Sequence, residues 1–333
     1  MKFQMNRRRA LKTLFCSSVF SGLNVSTRGL AQGAPAGGSL DFLALGDFGT
    51  GDVAQKAVGR AMIRYAAQLG KKPDGLLLLG DNFYGAMPGG VKSPRWQSGF
   101  SAIYPGSEFP GPCWPILGNH DYHDTVGNEQ VQLGYAASLN RATRWTFPSK
   151  YYRLDLPVEN PQVTLLMLDT NWQTINAAIH KDRPCWMAEE ERVAQMKWIE
   201  EQLASPRAPF TVVCGHHPVY SDAAHGDTKE LVQDLAPLLE KHGVHIYLCG
   251  HDHDLQHMEF ANHRTSFVLS GGGGARIYPT PETIRPGSKV FAVNGFSHLS
   301  LSEGVMTIRH IDANGNMLHA FTKGVNYDWR ILG

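Results

Sequence analysis

Short apolar runs recur along the chain, and most of them end at a glycine. Because the runs are continuous rather than alternating with polar residues, they are typical of strands buried on both faces of a sheet. In chain order they are Phe42–Gly46, Leu76–Gly80, Pro115–Gly118, Val163–Asp169, Thr211–Gly215, Val244–Gly250 and Ser266–Gly271. The pattern therefore predicts a sheet core that helices cover.

Helical periodicity fills several of the intervals between these runs. The predicted helices are Val53–Leu69, Glu189–Leu203 and Lys229–Glu240. In the second helix, apolar side chains recur on one stripe that begins at Val193 and ends at Leu203, as on a helix packed against a core. Pro237 interrupts the third helix, since proline lacks the amide donor that a helix needs.

The last part of the chain has a different pattern. After Gly295 the residues alternate as in half-buried strands, with the turn Ala313-Asn314-Gly315 between two of them, which predicts a terminal hairpin. Strands that alternate with helices predict a single α/β domain over residues 38–333, with its functional loops at the carboxyl ends of the strands.

The first residues predict an export signal rather than part of the fold. Arg7–Arg9 precede Ala10-Leu11-Lys12 and the apolar run Leu14–Leu23, and small residues follow from Ala31. This order predicts a signal peptide over residues 1–31, with cleavage at 31–36, and it resembles a bacterial twin-arginine signal. The apolar run is too short to span a membrane. We expect a periplasmic or secreted protein. Ordinary secretion is the alternative to the twin-arginine route, and a disordered basic N-terminus is the alternative to a signal peptide.

The balance of charged residues and the positions of the cysteines indicate which partners and which disulfide bonds to expect. Lys and Arg number 31 and Asp and Glu number 30, so the basic excess that nucleic-acid binding requires is missing. Nothing in the sequence requires more than a monomer. Cys214 and Cys249 end apolar runs and are expected in buried strands. Cys113 and Cys185 lie in loop-like sequence and can pair in an oxidising compartment.

Five short polar motifs follow the apolar runs. They are Gly46-Asp47-Phe48-Gly49, Gly80-Asp81-Asn82-Phe83-Tyr84, Gly118-Asn119-His120-Asp121, Gly215-His216-His217-Pro218 and Gly250-His251-Asp252-His253. Each begins with a glycine, which allows a sharp turn at the sheet edge. Their Asp, Asn, His and Tyr side chains are ligands for hard or borderline cations. One such motif is an ordinary turn, but five at strand ends predict a metal site. The run Gly271–Gly274 lacks a following Gly-Lys-Ser, so it predicts a flexible turn.

The order of the motifs resembles that of the calcineurin-like metallophosphoesterases. The first motif of that family is commonly Asp-x-His, whereas this chain has Gly49 two residues after Asp47. Tyr84, three residues after Asp81, stands as the replacement ligand, and a phenolate favours Fe(III). This substitution is typical of the purple acid phosphatases. The resemblance implies a four-layer α/β/β/α sandwich.

The resemblance is to the small, tartrate-resistant type of purple acid phosphatase, and it extends from about Leu40 to Phe321. Besides the five motifs, it is carried by Arg144-Trp145-x-Phe147-Pro148-Ser149, Tyr151-Tyr152-Arg153-Leu154 and Met167-Leu168-Asp169-Thr170. It implies an enzyme that hydrolyses phosphate monoesters by direct attack of a metal-bound hydroxide. Its substrate would be a small phosphomonoester or a phosphoprotein.

The same resemblance implies a binuclear centre with shared ligands. Fe(III) would be held by Asp47, Asp81, Tyr84 and His253. A divalent ion would be held by Asp81, Asn119, His216 and His251. Asp81 would bridge the two ions, and the divalent ion is Fe(II), Zn(II) or Mn(II), among which these ligands do not choose.

Further side chains are assigned around the ions. His120 and His225 are the candidates that donate a proton to the leaving group, with Asp121 placed to orient the ring of His120. His217 and Asn82 are assigned to substrate binding. The alternatives are a structural His120, a solvated His225 in its loop, and a His217 that only lines the pocket.

Two other functions stay open at this point. One is a phosphodiesterase or nucleotidase of the same superfamily, against which Gly49 and Tyr84 argue. The other is a metal-binding protein without catalysis. The loop Asn171–Ala188 matches a segment that covers the active site in the resembled enzymes, and it is a candidate regulatory loop.

Overall fold

The computed structural model describes residues 38–138, 143–177 and 186–332. The strands are β1 (Leu40–Leu45), β2 (Gly75–Leu78), β3 (Cys113–Pro115), β4 (Tyr152–Leu156), β5 (Val163–Met167), β6 (Phe210–Cys214), β7 (Ile246–Cys249), β8 (Leu255–Met258), β9 (Ser266–Ser270), β10 (Lys289–Phe291), β11 (Gly295–Ser302), β12 (Val305–Asp312), β13 (Met317–Gly324) and β14 (Trp329–Leu332). The α-helices are α1 (Val53–Gln68), α2 (Asn119–His123), α3 (Asn128–Ser138), α4 (Gln173–Asn176), α5 (Glu189–Ala204), α6 (Lys229–Asp234) and α7 (Ala236–Lys241).

Two seven-stranded sheets organise these elements. The first sheet has the order β14-β13-β12-β11-β1-β2-β3, and its strands β1, β2 and β3 are parallel. The second has the order β10-β8-β9-β7-β6-β5-β4, with β5, β6, β7 and β9 parallel. The five predicted motifs follow β1, β2 and β3 in the first sheet and β6 and β7 in the second. Because parallel strands bring their carboxyl ends to one edge, the motifs of each sheet lie together at that edge.

Two clusters of buried apolar side chains fill the spaces between the four layers. Successive residues of the second sheet point to opposite faces: Val212 belongs to the core shared with the first sheet and α1, and Val213 to the core shared with α5, α6 and α7. On the helix side, Ile199 of α5 and Leu239 of α7 are fully buried. The predicted four-layer α/β/β/α sandwich is confirmed.

The helix stripe predicted in α5 is wrong at its start. Val193 is 55% exposed, and the polar Gln195 is buried instead. The amide of Gln195 accepts the N–H of Asp169 at 2.9 Å and donates to the carbonyl of Asp169 at 2.7 Å. A buried amide that satisfies both backbone groups of a loop residue is stable without water, which is why a polar side chain lies inward here.

The C-terminal hairpin and the strand cysteines are as predicted. β12 and β13 pair around a turn in which the carboxylate of Asp312 accepts the N–H groups of Asn314 and Asn316. Cys214 and Cys249 are buried in β6 and β7. The pairing of Cys113 with Cys185 stays a prediction, because residue 185 lies outside the described residues.

Several further predictions also fall outside the described residues. The signal peptide, residues 1–31, is one, and residues 178–185 of the candidate regulatory loop are another. Among the residues that the structure describes, no helix combines the length and the apolar composition needed to cross a membrane.

Acid is expected to destabilise the fold through His310, which is fully buried on β12. Burial, together with the nearby imidazoles of His319 and His257, lowers the pKa of His310 from the usual 6.5 to about 3. The unfolded chain therefore binds one more proton between these values, so the free energy of unfolding falls as pH falls from 6.5 to about 3, by up to about 1.4 kcal/mol per pH unit.

We expect His310→Gln to reduce that slope, which urea unfolding between pH 6.5 and 4 measures. His263→Gln, at a partly exposed position, is the control. A His310→Gln slope equal to that of the unsubstituted protein would contradict the prediction.

Candidate metal centre

Three predicted ligands lie directly after strand-ending glycines in the left-handed region of backbone conformation. The angle φ is 58° for Asp47, 52° for Asp81 and 73° for His251. Non-glycine residues adopt this conformation rarely, and such strain is concentrated at functional sites. The loops after β1, β2 and β7 thus turn sharply and direct their side chains off the sheet edges.

One donor cluster joins the loops that follow β1, β2 and β7. The Tyr84 hydroxyl lies 3.3 Å from His253 Nε2 and 3.5 Å from Asp47 Oδ1. The distance between His253 Nε2 and Asp47 Oδ1 is 3.6 Å. The structure therefore brings together the three side chains that the resemblance assigned to Fe(III) and not to the divalent ion.

A second donor cluster adjoins the first. His216 Nε2 lies 3.0 Å from Asn119 Oδ1, and His251 Nδ1 lies 3.1 Å from the same oxygen. The carboxylate of Asp81 is 3.5 Å from His216 Nε2. Ligand atoms of Asp47, Asp81 and His216 all lie within 4.8 Å of one another, so Asp81 stands between the two clusters.

Backbone carbonyls hold two of the imidazoles from behind. The carbonyl of Leu79 accepts from His216 Nδ1 at 2.8 Å, and the carbonyl of Arg276 accepts from His253 Nδ1 at 2.7 Å. A carbonyl can only accept, so each Nδ1 carries the proton and each Nε2 presents its lone pair to the cluster. This is how proteins orient imidazoles that bind metal ions.

The charge distribution in the pocket fits cations. Burial raises the pKa of Asp47 well above its usual value, and the carboxylate of Asp81 adds to the rise. Burial also raises the pKa of Tyr84 well above 10, with both carboxylates contributing. Burial lowers the pKa of His216 and His251, which keeps these rings in the neutral form that binds metal ions. Bound cations would relieve the repulsion among the crowded anionic groups.

Packing explains the glycine at position 49, where the resembled superfamily commonly has histidine. A Cβ atom on Gly49 would lie 2.2 Å from the carbonyl oxygen of Asn82, so no side chain fits there. The carbonyl of Gly49 instead accepts the N–H of Tyr84 at 3.0 Å and a guanidinium N–H of Arg95 at 2.8 Å. The loop after β1 thus holds the segment that carries Tyr84, the donor that replaces histidine.

His120 lies beside the first cluster, but a different aspartate holds its ring. The ring centroid of His120 is 4.4 Å from that of Tyr84. Its Nδ1 is 3.1 Å from both carboxylate oxygens of Asp124, so the expectation that Asp121 orients this ring is wrong. The reason is helical geometry: Asp124 directly follows α2 with helical backbone angles, four residues after His120, so it shares the face of His120, whereas the residue next to His120 does not.

Asp121 and Asn82 form a buried support under the loops. The carboxylate of Asp121 accepts backbone N–H groups from Gly118, Asn82 and Phe83 at 2.9–3.1 Å. The amide of Asn82 donates to the carbonyl of Ile116 at 2.7 Å, and its side chain is fully buried. The structure therefore buries Asn82 where it does not contact substrate, contrary to the role predicted for it, and it places Asp121 on the loop backbone instead of on the ring of His120.

Further aromatic side chains lie on the side of the pocket formed by His251 and His253. His225 is exposed, and its ring centroid lies 4.3 Å from that of His251. His217 is buried, with Nδ1 2.9 Å from the hydroxyl of Thr170, which favours a role in lining the pocket. Tyr278 stacks on His253 at 4.7 Å between centroids and meets the His225 ring edge-on at 5.7 Å. Sequence reasoning missed Tyr278, because it follows no strand directly.

The glycine run after β9 positions that tyrosine. Gly271–Gly274 is buried, and a Cβ atom on Gly273 would lie 2.2 Å from the carbonyl oxygen of Gly46. The run therefore packs closely against the first loop of the centre, and the flexible turn expected from the sequence is wrong.

Comparisons with known proteins agree with this geometry. The profile of the calcineurin-like phosphoesterase family matches residues 40–255. Tartrate-resistant acid phosphatase type 5 of Homo sapiens is 33% identical over 309 residues, which cover 87% of this chain and 91% of that protein. Purple acid phosphatase 7 of Arabidopsis thaliana is 30% identical over 294 residues, which cover 85% of each chain.

A solved structure shares the fold at lower identity. GAP50, the anchor in the inner membrane complex of Plasmodium, superposes with a TM-score of 0.70 at 20% identity, over 85% of this chain and 88% of that one. At this identity the likeness shows the fold alone. The family profile and the two acid phosphatases go further, and they show that this chain is an enzyme of the calcineurin-like phosphoesterase family, in its group of tartrate-resistant and purple acid phosphatases.

Proposed function

We propose that the protein is a binuclear metal-dependent acid phosphatase that hydrolyses phosphate monoesters. The observation that carries the proposal is the pair of adjoining donor clusters with the buried carboxylate of Asp81 between them. A carboxylate shared by two donor sets suits two neighbouring cations, and two cations can hold the attacking and leaving oxygens of an in-line displacement.

The two donor sets suit different ions. Asp47, Tyr84 and His253, together with Asp81, would hold Fe(III), since hard anionic oxygens dominate this set. The other set has two imidazoles and one amide oxygen besides Asp81, which suits Fe(II), Zn(II) or Mn(II). When bound, the cations supply positive charge to the phosphoryl oxygens and lower the pKa of a water molecule.

The protein's own side chains handle the leaving group. His120 lies beside Tyr84 and His225 beside His251, so an imidazole is available next to each donor cluster. A departing alkoxide needs a proton, and an imidazole is the side chain best suited to give one near neutral pH. Asp124 holds Nδ1 of His120, which leaves Nε2 on the opposite edge of that ring for the transfer.

The visible spectrum of the iron-loaded protein tests the assignment of Tyr84. We expect a charge-transfer band from the phenolate to Fe(III), and we expect Tyr84→Phe to lose it while keeping the fold. Tyr278→Phe is the matched control, because Tyr278 lies beside His253 but outside the donor cluster. A band that survives in Tyr84→Phe would contradict the assignment.

Substrate preference tests the monoester assignment separately. Turnover of an aryl phosphate monoester should exceed that of a bis-aryl diester in the metal-replete protein. The reverse preference would favour a phosphodiesterase, and no turnover of either ester would favour a metal-binding protein without catalysis.

A further inference from the structure

Three side chains with metal-binding atoms share one face of α2, next to the centre described above. His120, His123 and Asp124 occupy positions i, i+3 and i+4, which are neighbours on a helix surface. Asp124 keeps helical backbone angles, with φ −68° and ψ −33°, although it follows the last residue of α2. Two ring nitrogens and one carboxylate oxygen of these residues lie within 4.8 Å of one another.

The carboxylate of Asp124 is oriented toward both imidazoles. Its Oδ2 accepts the backbone N–H of Gly85 at 2.5 Å, which fixes the carboxylate plane. Its Oδ1 lies 2.6 Å from His123 Nδ1 and 3.1 Å from His120 Nδ1. Oδ1 therefore faces both rings, whereas Oδ2 is held by the backbone and lies 3.1 Å from His120 Nδ1.

We propose that His120, His123 and Asp124 form a cation site separate from the binuclear centre, and that it takes Zn²⁺ or a similar divalent ion. Two imidazole nitrogens and a carboxylate oxygen are a common three-ligand zinc set, with water as the fourth ligand. Zinc bonds of about 2.0–2.2 Å place tetrahedral ligand atoms about 3.3 Å apart.

An ion would need the ligand atoms to move to tetrahedral spacing. The nitrogen–oxygen separations, 2.6 Å and 3.1 Å, would open by about 0.7 Å and about 0.2 Å, and the ligand atoms already lie within 4.8 Å of one another. The side chains of His120, His123 and Asp124 are 30%, 15% and 16% exposed. An ion can therefore enter from solvent, and a water molecule can complete its coordination.

An ion at this site would interfere with the proton donor. It would occupy Nδ1 of His120 and take the place of the hydrogen bond to Asp124 that holds the ring. Zinc in excess of that bound by the centre should therefore inhibit turnover, a consequence that rests on the proposed function. Binding itself does not depend on that function.

Titration of the holoenzyme that already contains iron and zinc tests the proposal. Because the divalent ion of the centre is already zinc, exchange of that ion with the added zinc does not change the composition of the centre. We expect calorimetry to show one further equivalent of zinc per chain, and phosphatase activity to fall as that equivalent binds. His123→Gln should abolish the extra equivalent and raise the inhibitory zinc concentration at least tenfold, with turnover in the absence of added zinc unchanged. His263→Gln is the matched control, since His263 Nδ1 lies 3.7 Å from the carboxylate of Glu240.

The possible outcomes test the zinc site and the proposed phosphatase function separately. If His123→Gln still binds the extra equivalent of zinc, or if the unsubstituted protein binds none, the zinc site is wrong. Binding that depends on His123 without any inhibition overturns the inhibitory role. Binding that depends on His123 in a protein that hydrolyses no phosphate ester leaves the site standing and overturns the proposed phosphatase.

Discussion

Replacing Asp81 with asparagine is expected to lower kcat/KM for phosphate monoesters by about a thousandfold. Asp81 is buried between the two donor clusters, and its carboxylate is assigned to both ions. A neutral amide cannot bridge two cations, so the charge stabilisation of several kcal/mol that such ions provide should be lost. About 4 kcal/mol corresponds to a thousandfold change in rate.

Asparagine is the informative substitution because the backbone of Asp81 has φ 52°, a conformation that asparagine tolerates. Steady-state kinetics and metal analysis of the purified variant give the result, with circular dichroism as the check on folding. Asp234→Asn, at a side chain 50% exposed, is the control. Two ions per chain together with undiminished turnover in Asp81→Asn would show that the carboxylate is not shared.

Replacing His120 with glutamine is expected to reduce turnover by an amount that depends on the leaving group. For an alkyl phosphate, whose alkoxide needs a proton, we expect a loss of about 10²–10⁴-fold. For 4-nitrophenyl phosphate the loss should be far smaller, because that phenolate departs without one. Asp124→Asn should show the same dependence at smaller magnitude, since it weakens the contact that positions the ring.

The dependence on the leaving group distinguishes proton donation from a structural role. A misfolded or poorly metallated pocket would slow both substrates alike, so equal losses for the two esters would rule against His120 as the donor. His123→Gln is the matched control, because His123 contacts the same carboxylate and has no assigned part in the reaction. Its two rates should stay close to those of the unsubstituted enzyme.

The strand ends were predictable from the sequence, because a continuous apolar run followed by Gly-Asp or Gly-His carries its own signal. β1, β2, β6 and β7 end within three residues of the predicted glycines. The orientation of His120 was not predictable in the same way. α2 spans only Asn119–His123, which is too short for helical periodicity to show, so the neighbour in sequence was chosen over the neighbour on the helix face.

Buried polar side chains were the second source of error. Polar side chains such as Gln195 and Asn82 are expected outside a core or in a pocket. Both are buried here, because the amide of each bonds to a backbone group of a loop distant in sequence. Tyr278 was missed for a related reason. It follows glycines that pack against the first loop, a contact between segments more than two hundred residues apart along the chain, which a local pattern does not reveal.

The donors of the centre come from both sheets: Asp47, Asp81 and Asn119 follow strands of the first, and His216 and His251 follow strands of the second. Each ion would therefore cross-link the two sheets, in addition to the apolar core and the hydrogen bonds that join them. Because the unfolded chain has no such preformed site, every ion bound also adds to the free energy of unfolding. A form of this protein that lacks its metal ions should then be degraded by proteases more easily.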